Sequence, residues 1–247
     1  MHGVGRSDER MNESAGRTGA VQLDSRMSKT LHNGLEILEL LTQHKYGLTI
    51  TEIGEGIGVH RTVADRLVRT LEAHRLCRRT ESKRILLGSG LVTLAGSVEQ
   101  DLRELARPIL EELADSVEAT AHLAVREGED SVRALMVIEP RNSRAHVGFN
   151  AGQIDPINRG SAGLAMLAAL PPQEGERPEV TRARERGFAV TSGEVTHSVT
   201  GISATLPNRR PADLVSIGVS VFDSSEEQKL GEAVMAAARR LGALLLR

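Results

Sequence analysis

Three adjacent residues, His60, Arg61 and Thr62, carry side chains that can hydrogen-bond to nucleic-acid bases. Arginine pairs with guanine through two parallel hydrogen bonds, and such a pair contributes roughly 1–3 kcal/mol of discrimination against a wrong base. A helix that reads the major groove presents the residues of its first turn to the base edges. We therefore expect these three residues to contact bases if the segment that follows them is helical.

That segment, residues 59–72, has the spacing of an amphipathic helix. Its predicted buried residues recur at intervals of four: Val59, Val63, Leu67 and Leu71. Such spacing places them on one helical face, with Val68 beside them and the charged residues outside. An amphipathic helix with arginines is more often an ordinary solvated surface than a DNA reader, so the neighbouring segments decide its interpretation.

The preceding residues, 49–58, predict a short helix and a tight turn. Thr49 or Thr51 can cap this helix, and Glu52 follows Thr49 at the spacing of a capping box, which begins a helix. Gly58 supplies the backbone freedom that a sharp connection between two helices needs. Residues 48–71 therefore predict a helix-turn-helix.

Two short apolar segments, Leu76–Thr80 and Arg84–Leu87, flank the polar turn Glu81–Lys83 and predict a β-hairpin, or wing. Between residues 58 and 84, eight Lys and Arg face three acidic residues, a local charge of +5 in a chain whose net charge is −2. Local clusters of this kind drive phosphate binding. Five further cations are candidate contacts to phosphates or the minor groove: Arg66, Arg69, Arg79, Lys83 and Arg84.

The composition limits the other function classes. One Tyr and three Phe in 247 residues are too few for a single-strand binder, which stacks bases on aromatic side chains. The single Cys excludes an internal disulfide and a cysteine-based metal cluster, and the eight His show no ligand spacing. We expect no cofactor, no metal and no membrane segment, and a cytoplasmic location.

The pattern along the chain predicts a tail, two domains and a connecting helix. Residues 1–27 are expected to be a disordered tail, 28–88 a winged helix-turn-helix domain, 89–100 a linker helix and 101–247 a second domain. The first helix is expected over Lys29–His44. Its predicted buried residues are Leu31, Leu35, Leu38 and Leu41.

The second domain has the pattern of an α+β fold with a mainly antiparallel sheet. Helices are predicted over residues 101–117, 159–170 and 225–246, the last capped by Asp223 or Ser224. Strands are predicted over residues 120–125, 131–138, 145–149, 188–190, 201–206 and 214–222.

A hydrolase motif is nearly present at Arg159-Gly160-Ser161-Ala162-Gly163. The nucleophile elbow G-x-S-x-G needs glycine at its first position because the strained turn admits only a minimal side chain, and arginine stands there. His197 is the only histidine downstream, and no convincing acid precedes it. The sequence therefore predicts no catalytic residue.

The same residues suit anion binding at a helix N-terminus. Free backbone N–H groups over Asn158, Arg159, Gly160 and Ser161 would bind a carboxylate. Ser161 can equally serve only as a helix cap, and Arg159 only as a surface charge. A second group of candidates lies on the predicted facing strand: Thr200, Gly201 and Ser203. His122 and Met136 are expected to be core residues that could also line a cavity.

In their order and separation these segments resemble the IclR family of transcriptional regulators from residue 28 onward. The resemblance is carried by residues 58–71 with the hairpin closing at Leu87-Gly88, by residues 156–168, and by residues 186–190 with Glu194. It implies a GAF-like effector-binding domain, a homodimer or dimer of dimers, and a double-stranded DNA operator. It also implies repression or activation controlled by a small metabolite, which we expect to be a carboxylate.

Three positions depart from that family's pattern. Arg75 stands where a glycine is usual, Ser198 aligns with another glycine, and Gly201 aligns with a common cysteine near the ligand pocket. The effector cannot therefore be carried over from the family. An alternative function is a winged-helix DNA-binding protein whose second domain serves only in assembly.

Overall fold

The computed structural model describes residues 23–141, 147, 150–207, 209–222 and 225–246. The chain divides into two compact units, Met1–Val98 and Glu99–Arg247. None of the helices within the described residues is long and apolar enough to span a membrane.

The first unit is a winged helix-turn-helix, as the sequence predicts. Its elements are α1 (Lys29–Thr42), α2 (Ile50–Gly56), α3 (Arg61–Ala73), β1 (Cys77–Arg79), β2 (Ile85–Leu87) and α4 (Gly90–Gly96). The strands β1 and β2 pair antiparallel, with Cys77 opposite Leu87 and Arg79 opposite Ile85.

Local chemistry fixes the two helices of the motif. The Glu52 N–H donates to Thr49 Oγ1 at 3.3 Å, and the Thr49 N–H donates to Glu52 Oε2 at 2.7 Å, so the predicted capping box is confirmed. Gly58 has φ +68° in the turn between α2 and α3, a conformation that favours glycine.

Three apolar residues predicted to be buried are exposed instead. Leu31 and Leu35 on α1 are 63% and 49% exposed, and Val63 on α3 is 42% exposed. Of the predicted residues of α1, Leu41 is buried, and Gly34 and Ile37 are buried with it. In so small a unit a helix is covered on one side only, so side chains a quarter-turn away stay in solvent.

The linker helix is shorter than the predicted 89–100. It ends at Gly96, and Glu99 has a left-handed φ of +47° before α5 begins at Gln100. A non-glycine residue in this conformation cannot continue a right-handed helix, so the chain turns there.

The second unit is an α+β fold with an antiparallel sheet, as predicted, and the described residues contribute six strands to it. Its elements are α5 (Gln100–Val117), β3 (Thr120–Glu127), β4 (Ser131–Ile138), β5 (Ile154–Pro156), α6 (Gly160–Ala168), α7 (Pro178–Arg186), β6 (Ala189–Ser192), β7 (Thr200–Thr205), β8 (Val215–Val221) and α8 (Glu227–Leu244). The strand order is β5-β4-β3-β8-β7-β6, and all neighbours are antiparallel.

Two elements escape the sequence prediction. Strand β5 has only three residues, too few to show alternation. Helix α7 is dominated by charges, although Pro178 in its first turn and the left-handed Gly187 after its end are ordinary helix signals. The strand predicted over 145–149 and the caps predicted at Asp223 and Ser224 fall outside the described residues, except for Val147.

The sheet has two chemically different faces. Alternate residues on its central strands pack against α5 and α8 in the main core: Ala121, Leu123, Ile202, Ala204, Ile217 and Val219. The residues between them point to the other face, toward α6. There β8 presents only Ser216, Gly218 and Ser220, so the space above the sheet is left for a helix terminus and a cavity.

Candidate functional site

The N-terminus of α3 presents the predicted base-reading residues to solvent. His60 is the N-cap, and Arg61 and Thr62 begin the first turn, all three exposed. Arg66 lies one turn further along and is exposed as well. This edge of α3 has the layout of a recognition helix.

Two of the predicted DNA-contacting arginines are held by acids of the same unit. Arg69 Nε donates to Asp65 Oδ2 at 2.9 Å. Arg79 reaches from β1 to α3: its Nε and Nη2 each donate to Glu72 at 3.3 Å, and its Nη2 also lies 3.7 Å from Asp65 Oδ1. The Arg79 contacts fasten the wing to α3, the Arg69 pair lies within α3, and both neutralise part of the local charge.

A third predicted cation, Arg84, ties the wing to the loop before α2. Its Nε donates to the carbonyls of Tyr46 and Gly47 at 3.2 and 3.0 Å, and its Nη2 lies 3.3 Å from Glu52 Oε2. Because Glu52 also closes the capping box, Arg84 connects β2 to the start of the helix-turn-helix.

The remaining cations of the set are free to meet phosphates. Arg61, Arg66 and Lys83 have no side-chain hydrogen bond or ion pair with any residue that the structure describes. Lys83 stands at the tip of the hairpin with φ +61°. Positive charge without an internal partner therefore sits at the start of α3 and at the wing tip.

Arg75, one of the departures from the family's pattern, adopts the left-handed conformation that favours glycine. Its φ is +60°, in the turn that leads from α3 into β1. Its carbonyl lies so close to Gly88 that a Cβ there would come within 2.2 Å of the oxygen. The turn is tight, and arginine adopts it at a conformational cost.

A cavity of about 80 Å³ lies in the second unit between the start of α6 and the small-residue face of the sheet. It is lined by four predicted effector residues: Arg159, Gly160, Ser161 and Gly201. It is also lined by residues that the sequence analysis did not assign to it: Ala124, Val132, Ala134, Val147, Gln153, Asp155, Ala162, Gly163, Thr191, Glu194, Val195, Thr196, Val199 and Ser220.

A chain of hydrogen bonds forms the polar floor of this cavity. Ser161 Oγ lies 2.8 Å from Ser203 Oγ, and Ser203 Oγ lies 3.3 Å from His122 Nε2. His122 and Ser203 pair with Gly218 from opposite sides in the strand register. A Cβ on Gly218 would come within 2.4 Å of both side chains, so glycine lets them meet.

Burial determines the charge of His122, which lines the cavity as well as filling the core. The residue is 6% exposed, and desolvation lowers the pKa of its imidazole from 6.5 to about 4. The imidazole is therefore neutral at pH 7, and the floor offers hydrogen bonds without net charge. Met136, the other candidate, is a core residue.

Gly201 allows the terminus of α6 to approach the sheet. A Cβ at this position would lie 2.6 Å from Ser161 Oγ, so the larger residue common there in the family would push Ser161 aside. Gly201 and Ser203, alternate residues of β7, both approach Ser161, and only Gly201 of the two lines the cavity.

An internal carboxylate occupies the first turn of α6. Glu194, in the loop between β6 and β7, accepts from the Gly160 N–H at 2.9 Å and pairs with Arg177 at 2.7 Å. The Arg177 side chain lowers the pKa of this carboxyl below its usual value. Arg159 Nε donates to the Glu194 carbonyl at 2.5 Å, so this loop is fastened to the helix over the cavity.

Three predicted effector residues do not line the cavity. Asn158 is exposed and accepts from Arg177 through its carbonyl, Thr200 bonds to Ser192 at 2.8 Å, and Ser203 supports Ser161 from below. The interpretation of Ser161 as an N-cap is wrong, since the N-cap of α6 is Arg159.

One sequence signal could have located the floor. The strand at residues 215–221 alternates Val or Ile with Ser, Gly and Ser, and all but its last residue are buried. Small polar residues alternating with apolar ones in a strand covered on both sides indicate a face that leaves room for other groups.

Both units resemble domains of known proteins. Residues 30–81 match the family model of the IclR helix-turn-helix domain, and residues 96–178 match that of the bacterial transcriptional regulator IclR C-terminal domain. The HTH-type transcriptional regulator Rv1719 of Mycobacterium tuberculosis is 26% identical over 227 residues, which cover 83% of this chain and 84% of that protein.

Solved structures share the fold. An IclR regulator from Alicyclobacillus acidocaldarius superposes with a TM-score of 0.75 at 23% identity, over 88% of this chain and 98% of that one. An IclR homolog from Microbacterium hydrocarbonoxydans, solved in complex with 4-hydroxybenzoate, gives 0.73 at 21% identity, over 88% and 99%. With both family models matched over more than half of its length, the chain belongs to the IclR family of transcriptional regulators, which are DNA-binding proteins and not enzymes.

Proposed function

We propose that this regulator reads a duplex operator with His60, Arg61 and Thr62, and that Arg66 and Lys83 bind the flanking phosphates. The observation that carries the proposal is the division of the cations into paired and unpaired sets. Arg79 and Arg84 brace the wing through acidic partners, and Arg69 is paired within α3. The cations without a side-chain partner among the described residues lie at the start of α3 and at the wing tip. Phosphate contacts supply affinity and base contacts supply specificity.

In this proposal Arg69, Arg79 and Arg84 stabilise the structure of the helix-turn-helix and the wing. The contacts of Arg79 to Glu72 and of Arg84 to Glu52 fix the hairpin against α3 and α2, and Arg69 pairs with Asp65 within α3. Their charges add to the positive potential of this surface, while their hydrogen bonds are made within the unit and not to DNA. Mapping the bound DNA across the genome of the source organism tests the function, and binding without sequence preference would contradict it.

We further propose that the effector is a small carboxylate bound in the cavity at the start of α6. Arg159 at the rim and the helix N-terminus favour an anion, and the Ser161 hydroxyl adds a hydrogen bond. The related regulator with 4-hydroxybenzoate shows that an IclR homolog accepts an aromatic acid. Glu194 now fills the anion position, so binding there requires the ligand to displace it.

The cavity also favours a second candidate function, a domain that serves only in assembly. Its volume of about 80 Å³ is small beside the roughly 300–1,000 Å³ of a typical ligand pocket. The Glu194 carboxylate already satisfies the Gly160 N–H. Thermal unfolding with a panel of small acids, 4-hydroxybenzoate included, separates the two. Stabilisation that rises with ligand concentration supports a sensor, and none supports assembly.

We propose a homodimer as the minimal assembly. Four exposed apolar side chains lie along α1 and the residues before it: Leu23, Met27, Leu31 and Leu35. A second copy would cover this stripe, and two-fold symmetry would present two α3 helices to adjacent major grooves. Sedimentation of the protein with Leu31→Glu tests this, and an unchanged mass would place the interface elsewhere.

A further inference from the structure

His60 caps the helix α3 with its imidazole, not with a hydroxyl or carboxylate. Its backbone has φ −63° and ψ 142°, and its Nδ1 accepts from the Thr62 N–H at 3.3 Å. Ser, Thr, Asp and Asn are the usual residues at this position. The exposed base-reading candidate therefore also holds the first turn of its own helix.

This cap fixes the proton on the ring. A backbone N–H can only donate, so Nδ1 must present its lone pair. The Thr62 hydroxyl, 3.1 Å from the same nitrogen, must then donate as well. A neutral imidazole carries a single proton, which is left on Nε2.

We propose that His60 reads DNA as a hydrogen-bond donor through Nε2–H, and that the base it selects is guanine. The inference rests on the proposed function of α3 as the reading helix. In the major groove guanine presents two acceptors, N7 and O6, whereas adenine and thymine present one each and cytosine presents only a donor. Because the cap consumes the Nδ1 lone pair, His60 has no acceptor to offer a cytosine.

The same cap assigns a complementary part to Thr62. Its hydroxyl proton is committed to His60, so it offers DNA only oxygen lone pairs and a methyl group. His60 and Thr62 therefore present a donor and an acceptor, a pattern that Ser at position 60 would not reproduce.

The first experiment measures the ring proton in the free protein. Histidine-labelled protein at neutral pH gives long-range ¹H–¹⁵N correlations, and the His60 signals are identified by their loss in His60→Asn. We expect His60 to show a single imidazole tautomer, protonated on Nε2, and the exposed His74 to show a mixture of the two tautomers. Protonation on Nδ1, or the same mixture at both residues, overturns the inference whether or not DNA is bound.

The second experiment selects binding sites from random duplexes with the wild type and with His60→Ser, which keeps a capping hydroxyl but cannot reach the groove. The wild-type site should contain a guanine whose preference disappears in the variant. Replacing this guanine with 7-deazaguanine removes N7, and replacing it with 6-thioguanine exchanges O6 for a weakly accepting sulfur. One of the two should weaken wild-type binding by about 3- to 10-fold and binding of the variant not at all.

The outcomes separate the two proposals. If the wild type selects a site and both proteins prefer the same bases with the same response to the analogues, the His60 inference fails while the DNA-reading function stands. If the wild type selects no sequence, the proposed function fails and the inference falls with it.

Discussion

The carboxylate of Glu194 accepts a hydrogen bond from the backbone N–H of Gly160 across 2.9 Å, which places an internal anion at the first turn of α6. The same carboxylate pairs with Arg177, and its loop covers the cavity with Val195 and Thr196. An anion and a helix N-terminus attract each other, so this contact holds the loop closed.

We predict that Glu194→Gln loosens this loop and changes the acid sensitivity of the protein. The depressed pKa of Glu194 means that its contribution is complete above pH 4.5 and is lost as the pH falls below it. The variant should be less stable by about 1–2 kcal/mol at pH 7, since a hydrogen bond to a charged group is lost. Urea unfolding at pH 7 and pH 3.5 measures both effects. Equal stability of the two proteins at pH 7 would contradict the role of this contact.

His122 should make the second unit sensitive to mild acid. Its pKa is about 4 when folded against 6.5 for the free side chain, so the unfolded chain takes up a proton first as the pH falls. The free energy of unfolding therefore has its full value above pH 6.5, and it decreases by about 3 kcal/mol in total between pH 6.5 and pH 4. The control is His122→Gln, which keeps a polar group and does not titrate. If the free energy of unfolding falls by the same amount in both proteins between pH 7 and pH 4.5, His122 is not the cause of the acid sensitivity.

Glycine at Arg75 should stabilise the first unit. The left-handed φ of +60° costs an arginine conformational energy, which glycine avoids, and we expect a gain of about 0.5–1 kcal/mol. Ser198, with φ +62°, is a second such position in the second unit. Gly58→Ala is the matched control, because a Cβ there meets no atom within 4 Å and only the φ of +68° is at issue. Thermal unfolding should show opposite signs for the glycine and alanine variants, and equal signs would exclude backbone strain.

Arg61 and Lys83 should affect DNA binding in different ways. Arg61→Ala should relax the preference at one base pair by roughly 1–3 kcal/mol, whereas Lys83→Ala should weaken all sequences equally and lower the salt slope by about 1. Arg69→Ala is the control for charge, since that side chain is already paired with Asp65. Fluorescence anisotropy over a salt series measures all three. Lys83→Ala with an unchanged slope would remove the wing tip from the interface.

Gly201→Ala should test how tightly α6 packs on the sheet. The added Cβ would lie 2.6 Å from Ser161 Oγ, and overpacking of this kind typically costs about 1–3 kcal/mol. Gly96→Ala, where a Cβ meets nothing within 4 Å, is the control. A Gly201→Ala protein as stable as the wild type would show that Ser161 moves freely and that the floor is adaptable.

The sequence by itself determined the elements that rest on local chemistry. Thr49 and Glu52 predicted the start of α2, and Gly58 predicted the turn after it. The apolar spacing that follows predicted α3. These signals are readable in the sequence because caps, turns and periodicity act within a few residues. Among the described residues of the second unit, every strand except β5 was visible for the same reason, with ends displaced by at most two residues. Helix α7 was missed because charges outnumber apolar residues in it.

Only the tertiary structure decided which predicted residues remain free to bind. Arg79 and Arg84 look like Arg61 and Arg66 in the sequence, yet their acidic partners, Glu72 and Glu52, lie on other elements and up to 32 residues away. The floor of the cavity likewise joins His122, Ser161 and Ser203, which meet because Gly218 and Gly201 leave room between three strands and a helix. Pairing and cavity shape depend on contacts between distant segments, and a local pattern holds no information about them.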